Sequence, residues 1–145
     1  MKRVLFLCSG NYYRSRFAEI FFNWHAEQRG LSWQAESRGL AINSCNPGPI
    51  SHYTRSSLSA RGILSESFER HPQAATDDDF ALAHHVIALK ELEHRPLVET
   101  RFPHWRERVE YWQIHDLDCA LPDQAIPHLE REVMNLLDRL STSAN

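Results

Sequence analysis

Cysteine is scarce in this sequence. Cys8, Cys45 and Cys119 are an odd number without the paired spacing of a zinc site, which excludes a disulfide framework and fits a reducing compartment. Long apolar runs are missing too. The run nearest the N-terminus, Val4 to Leu7, is four residues long and leads into a polar loop, so it does not read as a signal segment, and no stretch approaches the length of a membrane span. The expectation is a cytoplasmic chain without membrane attachment. Charge of one sign is not in excess: 16 Lys and Arg against 19 Asp and Glu give a net charge of -3, which offers nucleic acid no general attraction. Metal chemistry has little to stand on. The nine histidines are scattered without a His-Glu-x-x-His pattern, and His84 and His85 would face opposite sides of a strand, so neither a metal site nor a cofactor is expected. What is present, 145 residues with 42% hydrophobic and 24% charged content, describes one domain, residues 1–145, long enough to bury a core without staples.

Its organisation follows from periodicity. Val4, Leu5, Phe6 and Leu7 read as a buried parallel strand. Phe17, Ile20, Phe21 and Trp24 repeat at helical spacing from about Ser15, with Gly30 as a stop. An alternating stretch to Gly39 predicts a second strand. Ser51 reads as the cap of a helix ending near Ala60, residues 64–75 as a loop, and Asp77, Asp78 and Asp79 as the dipole-favoured start of another helix. His85 to Leu89 predicts a third strand, and Glu91 to Thr100 a helix interrupted near Pro96. Val109 to Trp112 is a fourth strand, and residues 114–122 a loop. Ile126, Leu129, Val133, Leu136, Leu137 and Leu140 mark the buried face of a last helix with Pro127 in its first turn. Strands alternating with helices predict an α/β domain, a doubly wound parallel sheet with helices on both faces. Such sheets bind ligands beyond the carboxyl ends of their strands, where strand order switches.

The chemistry concentrates in the first loop. Cys8 begins it and Arg14 and Ser15 end it, a pattern of Cys, five residues, Arg, Ser. A turn of this length opening a helix aims backbone N–H groups inward, and with the positive helix end it forms a cradle for an anion. Ser9, Gly10, Asn11, Tyr12, Tyr13 and Ser15 would line or brace it. N–H dipoles and a guanidinium lower a thiol's pKa below its free value of about 8.5, and Arg14 can grip two phosphate oxygens with its planar fork. A thiolate in an anion cradle points to attack on phosphorus, with a phosphocysteine later cleared by water. A second group must protonate the leaving oxygen and then act as base. Asp116 and Asp118, just beyond the last strand, are both candidates, with His115 a weaker one. Ser15 would donate to the sulfur and Asn11 would brace the loop backbone.

The run VLFLCSGNYYRSRFAE, the looser ESRGLAINSCNPGP and the late acid after YWQIHD resemble the low-molecular-weight protein tyrosine phosphatases and the related arsenate reductases. The segments YYRSRFAE, ALKELEHRPL and WQIHDLD are similar to a bacterial phosphatase-like branch. The resemblance implies a flavodoxin-like fold of four parallel strands and metal-independent hydrolysis of phosphotyrosine or a small phosphomonoester. It also implies Cys8 as nucleophile, Arg14 as clamp and a late Asp as acid, Asp116 by its distance from Trp112, with Asp118 as the alternative. The implied partners are a phosphorylated protein or small phosphate ester, with phosphate, sulfate or arsenate as anions. Two departures bear on this. Tyr13 stands where the main branch has a second cysteine, which removes an internal redox partner and favours a phosphate nucleophile over a disulfide donor. Asp116 is followed by Leu117 and Asp118 rather than by Pro and aromatics, which leaves Tyr12 and Trp112 to wall the pocket. Arsenate reduction by thiol exchange and non-hydrolytic phosphate binding are the rival expectations.

Overall fold

A computed structural model describes residues 1–116 and 121–142. Asp118 and Cys119, and the last three residues of the tail, lie outside them. Four strands form one sheet, β1 (Lys2–Cys8), β2 (Trp33–Gly39), β3 (His85–Ala88) and β4 (Val109–Tyr111), in the order β2-β1-β3-β4. Every pairing is parallel. Between them run α1 (Arg14–Gln28), α2 (His52–Ala60), α3 (Asp77–Leu82) and α4 (Glu91–Arg101), and α5 (Pro122–Thr142) follows β4.

The apolar run of β1 is continuous because both faces of the strand are covered. Val4, Phe6 and Cys8 join α1, α2 and α5 in one core, in which Phe17, Phe22, Leu58, Leu129 and Val133 are fully buried. Leu5 and Leu7 point the other way, to Phe80 of α3 and Val98 of α4. Each face of the central strand therefore carries its own apolar layer, which is the physical content of a doubly wound sheet.

Several local expectations need correction. Pro96 does not interrupt α4, which runs through it. The proline's missing N–H would have served the carbonyl of Leu92, a residue 82% exposed, so water can satisfy that oxygen. Pro127 is not in the first turn of α5. The helix begins at Pro122, whose absent N–H is one of the orphans every helix start carries, and the backbone N–H groups of Gln124 and Ala125 both bond to Leu121 O. The stretch 64–75 is not wholly loop, since Glu66–Glu69 forms a 3₁₀ turn capped by Ser65, and a second one, Pro103–Arg108, precedes β4. Trp112 does not wall the pocket. It is buried against Phe6, ring centroids 5.9 Å apart, because residues just past β4 still belong to the apolar layer beneath α5.

The topology positions the site. Between β1 and β3 the strand order switches: the chain leaves β1 to one side through α1 and returns to its other side as β3. The carboxyl ends of the two strands stay together, with Leu89 N bonded to Leu7 O at 3.0 Å and Ile114 N to Leu89 O at 2.7 Å. Residues 8–15, the start of α4 and residues 114–116 converge there.

Candidate active site

Asn11 shapes the loop. Its φ is +50°, a left-handed conformation that asparagine tolerates better than most residues, and its buried side chain uses its full hydrogen-bonding capacity. Nδ2 donates to Ser15 Oγ and Ser37 Oγ, each at 2.9 Å. Oδ1 accepts from Gln73 N at 3.0 Å and Arg70 Nη1 at 3.2 Å. Beneath it Arg70 Nη2 donates to Glu19 Oε1 at 2.9 Å and Ser37 Oγ at 2.8 Å, and Ser37 donates to Glu19 at 2.5 Å. A buried polar network this densely bonded rigidifies what it touches, and here it pins the turn from below. Among the described residues, no backbone N–H from Ser9 to Ser15 is given to a protein acceptor. They remain for an anion.

The sulfur sits at the floor. Cys8 Sγ lies 2.9 Å from Ser15 Oγ. Because Ser15 Oγ already accepts from Asn11, its own hydrogen is free to point at the sulfur. Arg14 is 2% exposed. Burial pulls its pKa down, yet the nearby Cys8, Glu93 and Asp116 outweigh that and raise it, so its positive charge is secure. Its guanidinium meets Glu93 with both Nη atoms, at 3.2 and 2.9 Å, gives a bond to Ile114 O at 3.1 Å, and lies 3.4 Å from Asp116 Oδ2.

Cys8, Ser9, Gly10, Tyr12, Tyr13, Arg14 and Asp116 line one cavity of about 480 Å³, whose outer wall is made by Asn43, Asn46, His52 and Tyr53. Tyr12 is pinned by its hydroxyl to Pro47 O at 2.5 Å. Tyr13 packs edge-on to Tyr53, centroids 6.4 Å apart. Burial and the neighbouring Asp116 push its pKa up to about 12, so the phenol stays neutral. Asn11 and Ser15 are wholly buried and act on the cavity from behind the loop rather than from its surface. His115 is exposed and does not line it. Among the described residues no three His, Cys, Asp or Glu side chains converge to hold a metal ion, and no helix is long and apolar enough to cross a membrane.

The structure brings Cys8, Arg14 and Asp116 to one cavity and adds Glu93, His94, Ser37, Glu19, Arg70 and Tyr53, which the sequence reading did not single out. Glu93 and His94 carried one usable signal: they open a helix directly after the strand beside β1, where ligand-facing residues collect.

Known proteins share this fold. A search of curated protein sequences finds no match. Among solved structures, YfkJ from Bacillus subtilis superposes with a TM-score of 0.86 at 19% identity, covering 100% of this chain and 98% of its own. A low molecular weight phosphotyrosine phosphatase from Vibrio cholerae gives 0.85 at 17% identity, with all of both chains covered (100% and 100%). The YwlE arginine phosphatase from Geobacillus stearothermophilus gives 0.79 at 22%, covering 99% and 95%. At these identities the superpositions establish the fold. The activity class comes from the sequence profile of the low molecular weight phosphotyrosine protein phosphatases, which matches residues 3–143: the chain belongs to that family and is a phosphatase.

Proposed function

We propose that this phosphatase hydrolyses phosphomonoesters of the phosphotyrosine type through a phosphocysteine. The observation that carries the reading is the single cavity that holds Cys8 at its floor with Arg14 and Asp116 beside it. In the first step the Cys8 thiolate attacks phosphorus, an S–P bond forms as the P–O bond to the leaving group breaks, and protonated Asp116 gives its proton to the departing oxygen. Arg14 and the unpaired loop N–H groups stabilise the equatorial oxygens. In the second step Asp116, now a carboxylate, takes a proton from water as that water attacks phosphorus. The S–P bond breaks, leaving phosphate and the Cys8 thiolate, which the Ser15 hydroxyl stabilises as the leaving group. Asp118, outside the described residues, stays the alternative acid.

The aromatic wall of Tyr12, Tyr13 and Tyr53 favours a phenyl phosphate over a small aliphatic one. The same faces together with the Asp116 carboxylate also suit a guanidinium, and the structural relatives include arginine phosphatases, so phosphoarginine is the second substrate to test.

The test is hydrolysis of p-nitrophenyl phosphate, a phosphotyrosine peptide and a phosphoarginine peptide between pH 5 and 8, by the native chain, Cys8→Ser, Asp116→Asn and Asp118→Asn. The expected result is turnover abolished by Cys8→Ser and lowered about 10²-fold by Asp116→Asn. Turnover that survives Cys8→Ser would refute the mechanism, and a larger loss in Asp118→Asn would move the acid to that residue.

A further inference from the structure

Arg14 is held from behind by a carboxylate that the proposed reaction does not use. A guanidinium presents five N–H groups along a planar fork. Both hydrogens of Nη1 are taken, one by Glu93 Oε1 at 3.2 Å and one by Ile114 O at 3.1 Å. Nη2 gives one hydrogen to Glu93 Oε2 at 2.9 Å. Its other hydrogen faces Asp116 at 3.4 Å, and among the described residues Nε has no acceptor. The Nη1–Nη2 edge is therefore occupied, while the Nε–Nη2 edge is left for an anion once Asp116 carries the proton that it must deliver.

Glu93 is itself locked in place. Ser9 Oγ donates to its Oε2, and His94 Nε2 lies 3.1 Å from the same atom. The histidine's proton position follows from its other nitrogen. Nδ1 accepts the backbone N–H of Lys90 at 3.0 Å, so in the neutral ring the hydrogen is on Nε2, pointing at Glu93. His94 N in turn bonds to Lys90 O at 2.8 Å. The rotamer of Glu93 is thus set by the first turn of α4, which β3 places beside the loop.

We propose that Glu93 is a positioning residue for Arg14: its bidentate grip on one edge of the guanidinium fixes the plane in which the opposite edge meets the transferring phosphoryl group. This rests on the phosphatase reading given above. A phosphate dianion in the ground state can be bound by a loosely placed guanidinium, because attraction between opposite charges is forgiving of angle. The transition state is not so forgiving. Two equatorial oxygens must meet two N–H groups in plane, and a misplacement of about 1 Å is worth about 10² in rate.

The experiment compares native protein, Glu93→Gln and Glu93→Ala in p-nitrophenyl phosphate turnover. Competitive inhibition is measured by orthovanadate, which takes up the five-coordinate geometry of the transition state, and by inorganic phosphate, which does not. Glu93→Gln keeps the shape but turns an amide NH₂ towards donors, and Glu93→Ala removes the grip. The expected result for both is a fall in kcat of about 10²-fold, a comparable loss of vanadate affinity, and phosphate inhibition within about threefold of native. A purely structural role would weaken both inhibitors together or lower the melting temperature without separating them. Glu93→Gln decides the matter if Glu93→Ala does not fold. Cys8-dependent turnover with kcat within about threefold of native, or vanadate and phosphate affinities that shift in parallel, overturns the positioning role alone. Absence of any Cys8-dependent turnover in native protein overturns the phosphatase reading, and this proposal with it.

Discussion

Replacing Asn11 by Ala and by Gly separates two things that this residue does. The alanine variant loses all four side-chain hydrogen bonds. Three of the partners have others to fall back on: Ser37 keeps Glu19 and Arg70, Arg70 keeps His71 O at 3.1 Å, and Ser15 keeps Cys8. The backbone N–H of Gln73 has no other acceptor among the described residues, and because Gln73 is exposed the loss there is at the low end, about 1 kcal/mol. Alanine must also hold φ at +50°, which for a side chain unable to bond locally costs about 1–2 kcal/mol. The expected loss is about 2–3 kcal/mol, a large share of the roughly 5–15 kcal/mol that holds a typical domain together. Glycine loses the same hydrogen bonds but has no strain at positive φ, and its freer unfolded chain gives back about 0.4–1 kcal/mol of that advantage. Asn11→Gly is therefore ahead of Asn11→Ala by somewhat less than about 1 kcal/mol. Activity should not follow stability. Both variants leave Ser15 without the donor that turns its hydroxyl towards Cys8, so kcat/KM falls about 10-fold to 10²-fold in each, and glycine does not restore it. Urea unfolding followed by tryptophan fluorescence reads the first quantity, and p-nitrophenyl phosphate turnover the second. An alanine variant within about 1 kcal/mol of native stability, or a glycine variant less stable than alanine, would refute the reasoning.

Two more outcomes follow from the structure. In Gly39→Ala the new Cβ would stand 2.4 Å from Ile42 Cδ1, 2.7 Å from Ser9 O and 3.2 Å from Asn11 Cβ. The isoleucine tip can move, but the Ser9 carbonyl is backbone tied to Ala41 N at 2.9 Å, so the cradle itself shifts. A destabilisation of about 1–3 kcal/mol with a fall in kcat is expected, and native-like turnover would show that the loop is free to adjust. His94 supplies the pH dependence. Burial lowers its pKa from the ordinary value of 6.5, and the charge of Arg14 adds to this against the opposing bond from Glu93. The unfolded chain thus takes up a proton near 6.5 that the folded protein resists, so the stability contributed by neutral His94 is complete above that pH and is lost as the pH falls below it. His25 and His85 are shifted the same way by burial and steepen the slope. In urea unfolding at pH 7 and pH 5, His94→Gln should lose less stability on acidification than native protein. An equal loss in both would mean that His94 does not carry the effect.

Much of the site was legible because its core is local. Cys8, Arg14 and Ser15 lie within one turn between a strand and a helix, and the geometry of that turn follows from chain connectivity. Asp116 and Asp118 were legible as candidates for a similar reason, standing just after β4, whose carboxyl end lies on the same side of a parallel sheet as that of β1, while the preference for Asp116 came from the family resemblance. The misread elements share a cause as well. Pro96 was read as interrupting its helix and Pro127 as lying in a first turn, but the N–H groups they lack would have served Leu92 and Asp123, both exposed residues, and packing of the helix face outweighs the loss. Trp112 was assigned to the pocket for want of aromatics after Asp116, and its large apolar ring is claimed instead by Phe6 and the core.

The sequence by itself determined that a nucleophile, a cation and a helix start would share one loop after the first strand, since seven consecutive residues cannot separate far. Only the tertiary structure decided what holds that loop in a working shape. Asn11 finds Ser37, Arg70 and Gln73, and Arg14 finds Glu93, 79 residues away. No periodicity or spacing encodes such pairings. They exist because β1 lies between β2 and β3 in a parallel sheet, which brings the ends of three distant segments to one point.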